Sequence, residues 1–314
     1  MNADAQFTDT EGQNWISTRA NMGKMMGIAL TAAAVAAILL RRFRRRSVPK
    51  TWALALLKAW AEHKWLKDFS NLPPISTVDD VYAVHQAATE IIAASSDLRD
   101  FFGRTGGYKM GGIGCLGQPA VYAPLFSSFV VHVTVHSPRS LDVARHQLFN
   151  VEAEICFIFG TELTPRPVPF TTEEVWAALS YVAPCIELCG RRHKLGSRAL
   201  VVQALTDFSC AGGVAVGPKI SARDMKSSDL DNLTATLLVD GCEVASGSVT
   251  ACPFSSAVRS MVWCANHLRS RGIALTPGQI IISGALAKCQ AFAPGSSVTV
   301  SFDQTLDTVT TVLG

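Results

Sequence analysis

The sequence predicts an α+β protein: an N-terminal transmembrane helix, a small helical region and a larger mixed, β-rich domain. Three observations predict it. Met25–Leu40 reads MMGIALTAAAVAAILL, without a charge. Residues 51–102 place Trp52, Leu54, Ala55, Leu56, Ala59 and Trp60 at helical spacing before Pro73-Pro74 breaks the chain. From Gly106 onward, glycines become frequent and short β-branched runs take over. The expected segments are a tail over 1–24, an anchor and basic flank over 25–46, a helical region over 50–105 and the β-rich domain over 106–314.

The anchor comes first in the chain. As a helix Met25–Leu40 spans roughly 24 Å at ~1.5 Å per residue, somewhat less than a hydrocarbon core of ~30 Å. Snorkelling by Lys24 and Arg41 covers the gap. The basic cluster Arg41, Arg42, Arg44, Arg45, Arg46 and Lys50 follows the apolar run, whereas a cleavable signal has its charge before it. That order fits a single-pass anchor with the C-terminal domain on the cytosolic or matrix side. An Ala-rich core helix or part of a mitochondrial targeting sequence is the alternative.

The net charge of +3 comes from that cluster, and the remainder is slightly acidic, which argues against a nucleic-acid-binding body. The nine cysteines include no CxxC pair and several sit in apolar runs. A reducing compartment follows, and a disulfide scaffold or zinc ribbon is excluded. Together with the flank order this suits the mitochondrial inner membrane, with the C-terminal domain in the matrix. At 314 residues and 48% apolar, the chain can bury a sizeable core.

Within the body, Thr77 followed by Asp79 and Asp80 starts a second helix. Strand-like runs follow at Ser128–His136, Glu152–Phe159, Ala199–Leu205, Leu233–Val239, Ile280–Ile282 and Ser297–Phe302. Asp240-Gly241 between apolar runs marks a hairpin. One further helix starts near Thr171 and another covers about Ser256–Arg271, closed by Gly272.

Glu152 and Glu154 lie two apart in the apolar run Val151–Phe157, so on a strand they share one face. Glu187 sits in the equally apolar Pro184–Leu188. An unpaired buried carboxylate is costly. Either these are edge strands with each Glu in water, or the three converge on a hard cation such as Mg²⁺ or Mn²⁺. Their number favours the cation.

Five segments occur in order: Pro74-Ile75 before a helix, Gly107-Tyr108-Lys109-Met110-Gly111, Val151-Glu152-Ala153-Glu154-Ile155, Ala183-Pro184-Cys185-Ile186-Glu187, and Ile281-Ile282-Ser283-Gly284-Ala285-Leu286. Together they resemble the 2-keto-4-pentenoate hydratase and 2-oxo acid decarboxylase branch of the fumarylacetoacetate hydrolase superfamily, from about residue 55 to the C-terminus. The resemblance implies a mixed β-roll, homo-oligomers and a Mg²⁺ or Mn²⁺ site formed by Glu152, Glu154 and Glu187. The cation would chelate a small 2-oxo acid and act as a Lewis acid. Lys109 matches the family's proton-transfer lysine, with a pKa lowered by desolvation and the metal. Arg192 matches an arginine that grips the substrate carboxylate, although a solvated basic turn of Arg191–Lys194 fits equally. Ser283 and Gly284 either hold a substrate oxygen or a metal water, or serve the turn.

The chain departs from the family pattern at three places. Ser128 stands where an acid is expected, Asn150 where a basic residue is common, and Gly111-Gly112-Ile113-Gly114-Cys115 lacks the usual hydroxyl. Two functions remain: a metal-dependent hydratase or decarboxylase of small 2-oxo acids, or a catalytically inactive accessory subunit of a mitochondrial, respiratory-type membrane complex built on the same fold. A thiol enzyme is set aside, because no cysteine has an evident His partner.

Overall fold

The computed structural model describes residues 48–314, apart from 113–116, 135–138, 195–199, 290–291 and 304. Three helices open it: α1 (Val48–Ala61), α2 (Val78–Ala93) and α3 (Ser96–Phe102). Helix α2 starts at Thr77, whose hydroxyl accepts from Asp80 N while Asp80 accepts from the Thr77 backbone. Trp52 Nε1 donates to Pro73 O at 2.7 Å, which ties the Pro73-Pro74 break to α1. Trp60 is fully buried, with its ring 4.8–5.8 Å from those of Phe102, Phe126, Phe129 and Phe208. That aromatic plug joins the helical region and the β-rich body in one core.

The body runs β1 (Thr105–Gly111), β2 (Val121–Phe126), β3 (Val130–His132), β4 (Ser140–Leu141), α4 (Val143–His146), β5 (Leu148–Phe159), α5 (Thr172–Ala177) and β6 (Leu179–Gly190). It continues with α6 (Val201–Thr206), β7 (Ala211–Val216), β8 (Ile220–Ser221), β9 (Thr234–Val239), β10 (Cys242–Ser248) and α7 (Ala257–Ser270). It ends with β11 (Ile280–Ile282), β12 (Ala287–Cys289), β13 (Ser297–Phe302) and β14 (Val309–Leu313). The larger sheet has the order β2-β1-β11-β5-β6-β7-β3, with β12 also on β5 and β8 also on β6. The smaller one has the order β10-β9-β13-β14-β4. This is the expected α+β architecture. Strands β5 and β6 are central and buried on both faces, which is why their sequences read as nearly unbroken apolar runs. At Gly107 a Cβ would overlap the Ile280 carbonyl oxygen, so glycine permits the close parallel pairing of β1 with β11.

Asp240 and Gly241 both adopt positive φ, as a type I′ hairpin between β9 and β10 requires. Helix α5 has the capping box of Thr171 and Glu174, and α7 is capped by Ser256. Two expected strands are corrected. Of the expected strand Ala199–Leu205, Ala199 lies outside the described residues, and Leu200–Leu205 caps and forms α6, where Val202 and Leu205 are buried while Leu200 and Val201 are exposed. That spacing is helical, and a short apolar run cannot distinguish the two periods. Of the expected strand Ser128–His136, residues 135–136 lie outside the described residues, and the rest holds a 3₁₀ turn over Ser127–Phe129 and the short β3.

The transmembrane helix is also corrected. Among the described residues no helix is long and apolar enough to cross a membrane, and Met25–Leu40 lies outside them. The membrane anchor, and with it the placement at the mitochondrial inner membrane, is not supported. The eight described cysteines form no disulfide among the described residues, and seven of them are buried or partly buried.

Candidate functional site

The site grows from one face of the β5–β6 ladder. Antiparallel register sets Glu152 opposite Glu187, Glu154 opposite Cys185 and Asn150 opposite Cys189. Residues two apart on a strand share a face, so Asn150, Glu152, Glu154, Cys185, Glu187 and Cys189 project together. The next strands add to that face: Lys288 of β12 is opposite Glu152. Lys109 of β1 is opposite Ile282 of β11, which in turn is opposite Cys156. The three glutamates and Lys109 therefore converge, although three strands carry them.

Glu154 and Glu187 are fully buried. Lys109 Nζ forms an ion pair with Glu187 Oε1 at 2.6 Å, and Asn150 Nδ2 donates to Glu152 Oε1 at 2.7 Å. Glu154 Oε1, Glu187 Oε2 and Asn150 Oδ1 are buried without a hydrogen-bond partner. Oxygens left so in a core call for a cation or proton. Burial, then the neighbouring Glu187, hold Glu154 well above the ordinary carboxylate range. Burial pushes Glu187 up to about 7 against the pull of Lys109. The lysine does not show the expected lowering. Burial depresses it, but the carboxylates led by Glu187 outweigh burial and hold it well above its usual value. The residues fit a divalent cation: Glu152, Glu187 and Cys189 bring ligand atoms within 4.8 Å of one another, and Glu154 sits beside that group with a free oxygen.

Ser283 and Gly284 support Glu154. Ser283 Oγ accepts from Ile155 N at 3.0 Å and donates to Gly284 O at 2.9 Å, so its hydroxyl serves the turn. Gly284 N donates to Glu154 Oε2 at 2.9 Å. Its φ is +91°, and a Cβ there would lie 2.6 Å from Pro253 Cδ, so only glycine suits this turn.

Arg192 is not brought into the cluster. It is fully buried behind β6, with Nε on Asp207 Oδ1 at 2.5 Å, Nη1 on Ala211 O at 2.7 Å and Nη2 on Asp207 O at 2.9 Å. Its guanidinium lies 4.2 Å from the Trp60 ring centroid. With its donors occupied, it braces the helical region against the sheet instead of facing a ligand. Ser128 sits in its 3₁₀ turn, away from the cavity wall.

A cavity of about 570 Å³ opens over the cluster, lined in part by Lys109, Asn150, Glu152, Cys189, Gly284 and Lys288. That size suits a small molecule. Ser209 and Cys210 also line it, within a run of three non-glycine residues, Phe208–Cys210, at positive φ. Such strain persists where the surrounding structure enforces it. Sequence reasoning missed Lys288, Cys189, Ser209 and Cys210. The first two had a signal, because each lies two residues beyond a chosen segment on a strand of period two.

The family model for the fumarylacetoacetate (FAA) hydrolase C-terminal domain matches residues 111–313. A 4-oxalocrotonate decarboxylase from Pseudomonas sp. is 27% identical over 227 residues, covering 72% of this chain and 85% of the relative. A 2-keto-4-pentenoate hydratase from Paraburkholderia xenovorans is 28% identical over 248 residues, covering 77% and 87%. The solved structure of 4-oxalocrotonate decarboxylase from Pseudomonas putida G7, complexed with magnesium and adipate, superposes with a TM-score of 0.70 at 22% identity. It covers 87% of this chain and 100% of that one, and it shows the shared fold. With most of the β-rich body matched, this chain belongs to the fumarylacetoacetate hydrolase family.

Proposed function

We propose that the protein is a divalent-metal-dependent lyase for small 2-oxo acids, and that it favours decarboxylation over hydration. The observation that carries the reading is the convergence of Glu152, Glu154, Glu187 and Lys109 beside one cavity. Relatives of similar length are named as decarboxylases and hydratases, and one solved relative is complexed with magnesium.

Glu152, Glu154 and Glu187 would hold the cation. When bound, it supplies Lewis acidity to the 2-oxo and carboxylate oxygens of the substrate. Lys109 is 5% exposed and positioned by Glu187, so it holds a proton at Nζ on the cavity wall. Lys288, exposed across the ladder from Glu152, offers a second positive charge for a substrate carboxylate. The apolar wall of Met110, Leu205, Pro253 and Leu286 limits water around the carbon skeleton.

Loss of CO₂ breaks one C–C bond and needs one proton delivered to carbon, which Lys109 can supply. Hydration needs a second group to activate water. Among the described residues of the cavity wall no carboxylate remains for that task once Glu152 is assigned to the cation.

Purified protein with Mg²⁺ or Mn²⁺ should release CO₂ from oxaloacetate or an unsaturated analogue faster than it hydrates a 2-hydroxydienoate. Glu187→Gln should lose both bound metal and turnover. Turnover no greater than that of Glu187→Gln would sink the reading, and faster hydration would reverse the preference.

A further inference from the structure

We propose that a second cavity, on the opposite face of β1 from the carboxylate cluster, is a binding site for a small aromatic carboxylate. The proposal is independent of the cation on Glu152, Glu154 and Glu187.

Strand β1 separates the two sites. Tyr108 and Lys109 are consecutive on it, so they project to opposite faces. Lys109 reaches the glutamates, whereas Tyr108 turns towards α2 and the end of α7. There a cavity of about 540 Å³ opens, a size that suits a small molecule. It shares no lining residue with the cavity over the carboxylates.

Its walls are aromatic. Tyr82 of α2 stacks on Tyr122 of β2 with ring centroids 4.5 Å apart, and Tyr108 meets Tyr122 edge to face at 5.6 Å. Packing accounts for the rings but not for their hydroxyls. Tyr108 and Tyr122 are 6% and 4% exposed, and neither phenolic hydroxyl makes a hydrogen bond among the described residues. A buried tyrosine hydroxyl ordinarily finds a partner, so two beside one open volume call for an acceptor from a ligand. Burial pushes both phenols above their usual range, so they keep their protons and can donate.

The acceptor is an anion. Arg271, just past α7, is the only charged side chain on this wall among the described residues, because burial holds His85 neutral with a pKa of about 4. The guanidinium lies 4.8 Å from the Tyr82 ring centroid. Its ion pair with Asp79, at 3.1 Å, is to an exposed carboxylate, and such a pair contributes little in water. A carboxylate on Arg271 and the two phenols, with a planar ring among the tyrosines, satisfies charge, hydrogen bonding and shape together.

The full chain, stripped of metal with a chelator, should be titrated calorimetrically with benzoate. One equivalent should bind saturably. Tyr122→Phe and Arg271→Gln should each weaken binding by about 10-fold or more, the loss of one hydrogen bond to a charged group. Lys288→Gln, in the other cavity, should leave it unchanged. Benzyl alcohol keeps the ring without the charge, cyclohexanecarboxylate keeps the charge without the aromatic ring, and both should bind more weakly. Thermal unfolding shows that each variant is folded, and Tyr108→Phe replaces any that is not. No saturable heat, unchanged affinity in Tyr122→Phe and Arg271→Gln, or affinity lost in Lys288→Gln overturns the site. Equal affinity for either analogue overturns the ligand class. Each of these outcomes leaves the metal reading intact.

Discussion

Lys109 Nζ and Glu187 Oε1 form a buried ion pair at 2.6 Å between β1 and β6, strands separated in the sheet by β11 and β5. The lysine reaches along the shared face to the one carboxylate that also faces Glu152. Proton carrier and metal ligand are thereby coupled, because a cation on Glu187 competes with Lys109 for the same charge.

Lys109→Met should lower kcat by about 10²–10⁴-fold, the usual contribution of a positioned acid or base. Metal affinity should hold or tighten, because Glu187 loses its competing cation. Steady-state kinetics and calorimetric metal titration separate the two effects, and a change of only a few-fold in kcat would remove Lys109 from proton transfer.

Arg192→Ala should cost about 3–5 kcal/mol of stability by leaving Asp207 buried and unpaired. Arg192→Lys should recover little, because lysine cannot reproduce the contacts to Asp207 and Ala211. Arg192→Met combined with Asp207→Leu should cost less than the two single changes together. Denaturant unfolding reads all five variants. Unchanged stability with a raised KM would restore Arg192 as a substrate clamp.

Gly284→Ala should destabilise by about 1–3 kcal/mol, since alanine resists a φ of +91° and meets Pro253. Metal affinity should fall with it, because Gly284 N–H orients Glu154. Thermal unfolding together with metal titration tests both effects. A variant as stable as the parent with unchanged metal affinity would separate the turn from the site.

Burial lowers His85 and His146 to about 4. Each folded-state pKa lies below the unfolded value of about 6.5, so each is neutral in the folded chain while the unfolded chain takes up a proton. Their stabilisation is complete above about pH 6.5 and is lost as pH falls towards about 4, roughly 2 kcal/mol per histidine by pH 5. The raised carboxylates Glu154 and Glu187 act in the opposite sense, so the difference between parent and His146→Gln isolates one histidine. That variant should lose less stability between pH 7 and pH 5. Parallel curves for the two proteins would contradict a neutral buried His146.

The helix starts at Thr77, Thr171 and Ser256, the turn at Asp240-Gly241 and several strands were legible in the sequence, because caps, turns and strand period act within a few residues. The run near Ala199–Leu205 was not, because a short apolar run lacks the length to distinguish a strand from the helical turn that buries Val202 and Leu205. Arg192 shows the same limit for function. Its place after Glu187 suggested a substrate grip, but Asp207, fifteen residues on, folds beneath it and occupies its donors.

By itself the sequence marked Glu152, Glu154 and Glu187 as one group, since acids in apolar strands need a counter-charge wherever those strands pack, and Lys109 joined them only through the family resemblance. Only the tertiary structure decided the partners. Register set Glu152 across from Glu187, β1 brought Lys109 to Glu187, the Gly284 turn fixed one oxygen of Glu154, and Cys189 came beside Glu152 and Glu187. These are contacts between strands distant in sequence, fixed by the pairing of whole strands rather than by any residue's own preference.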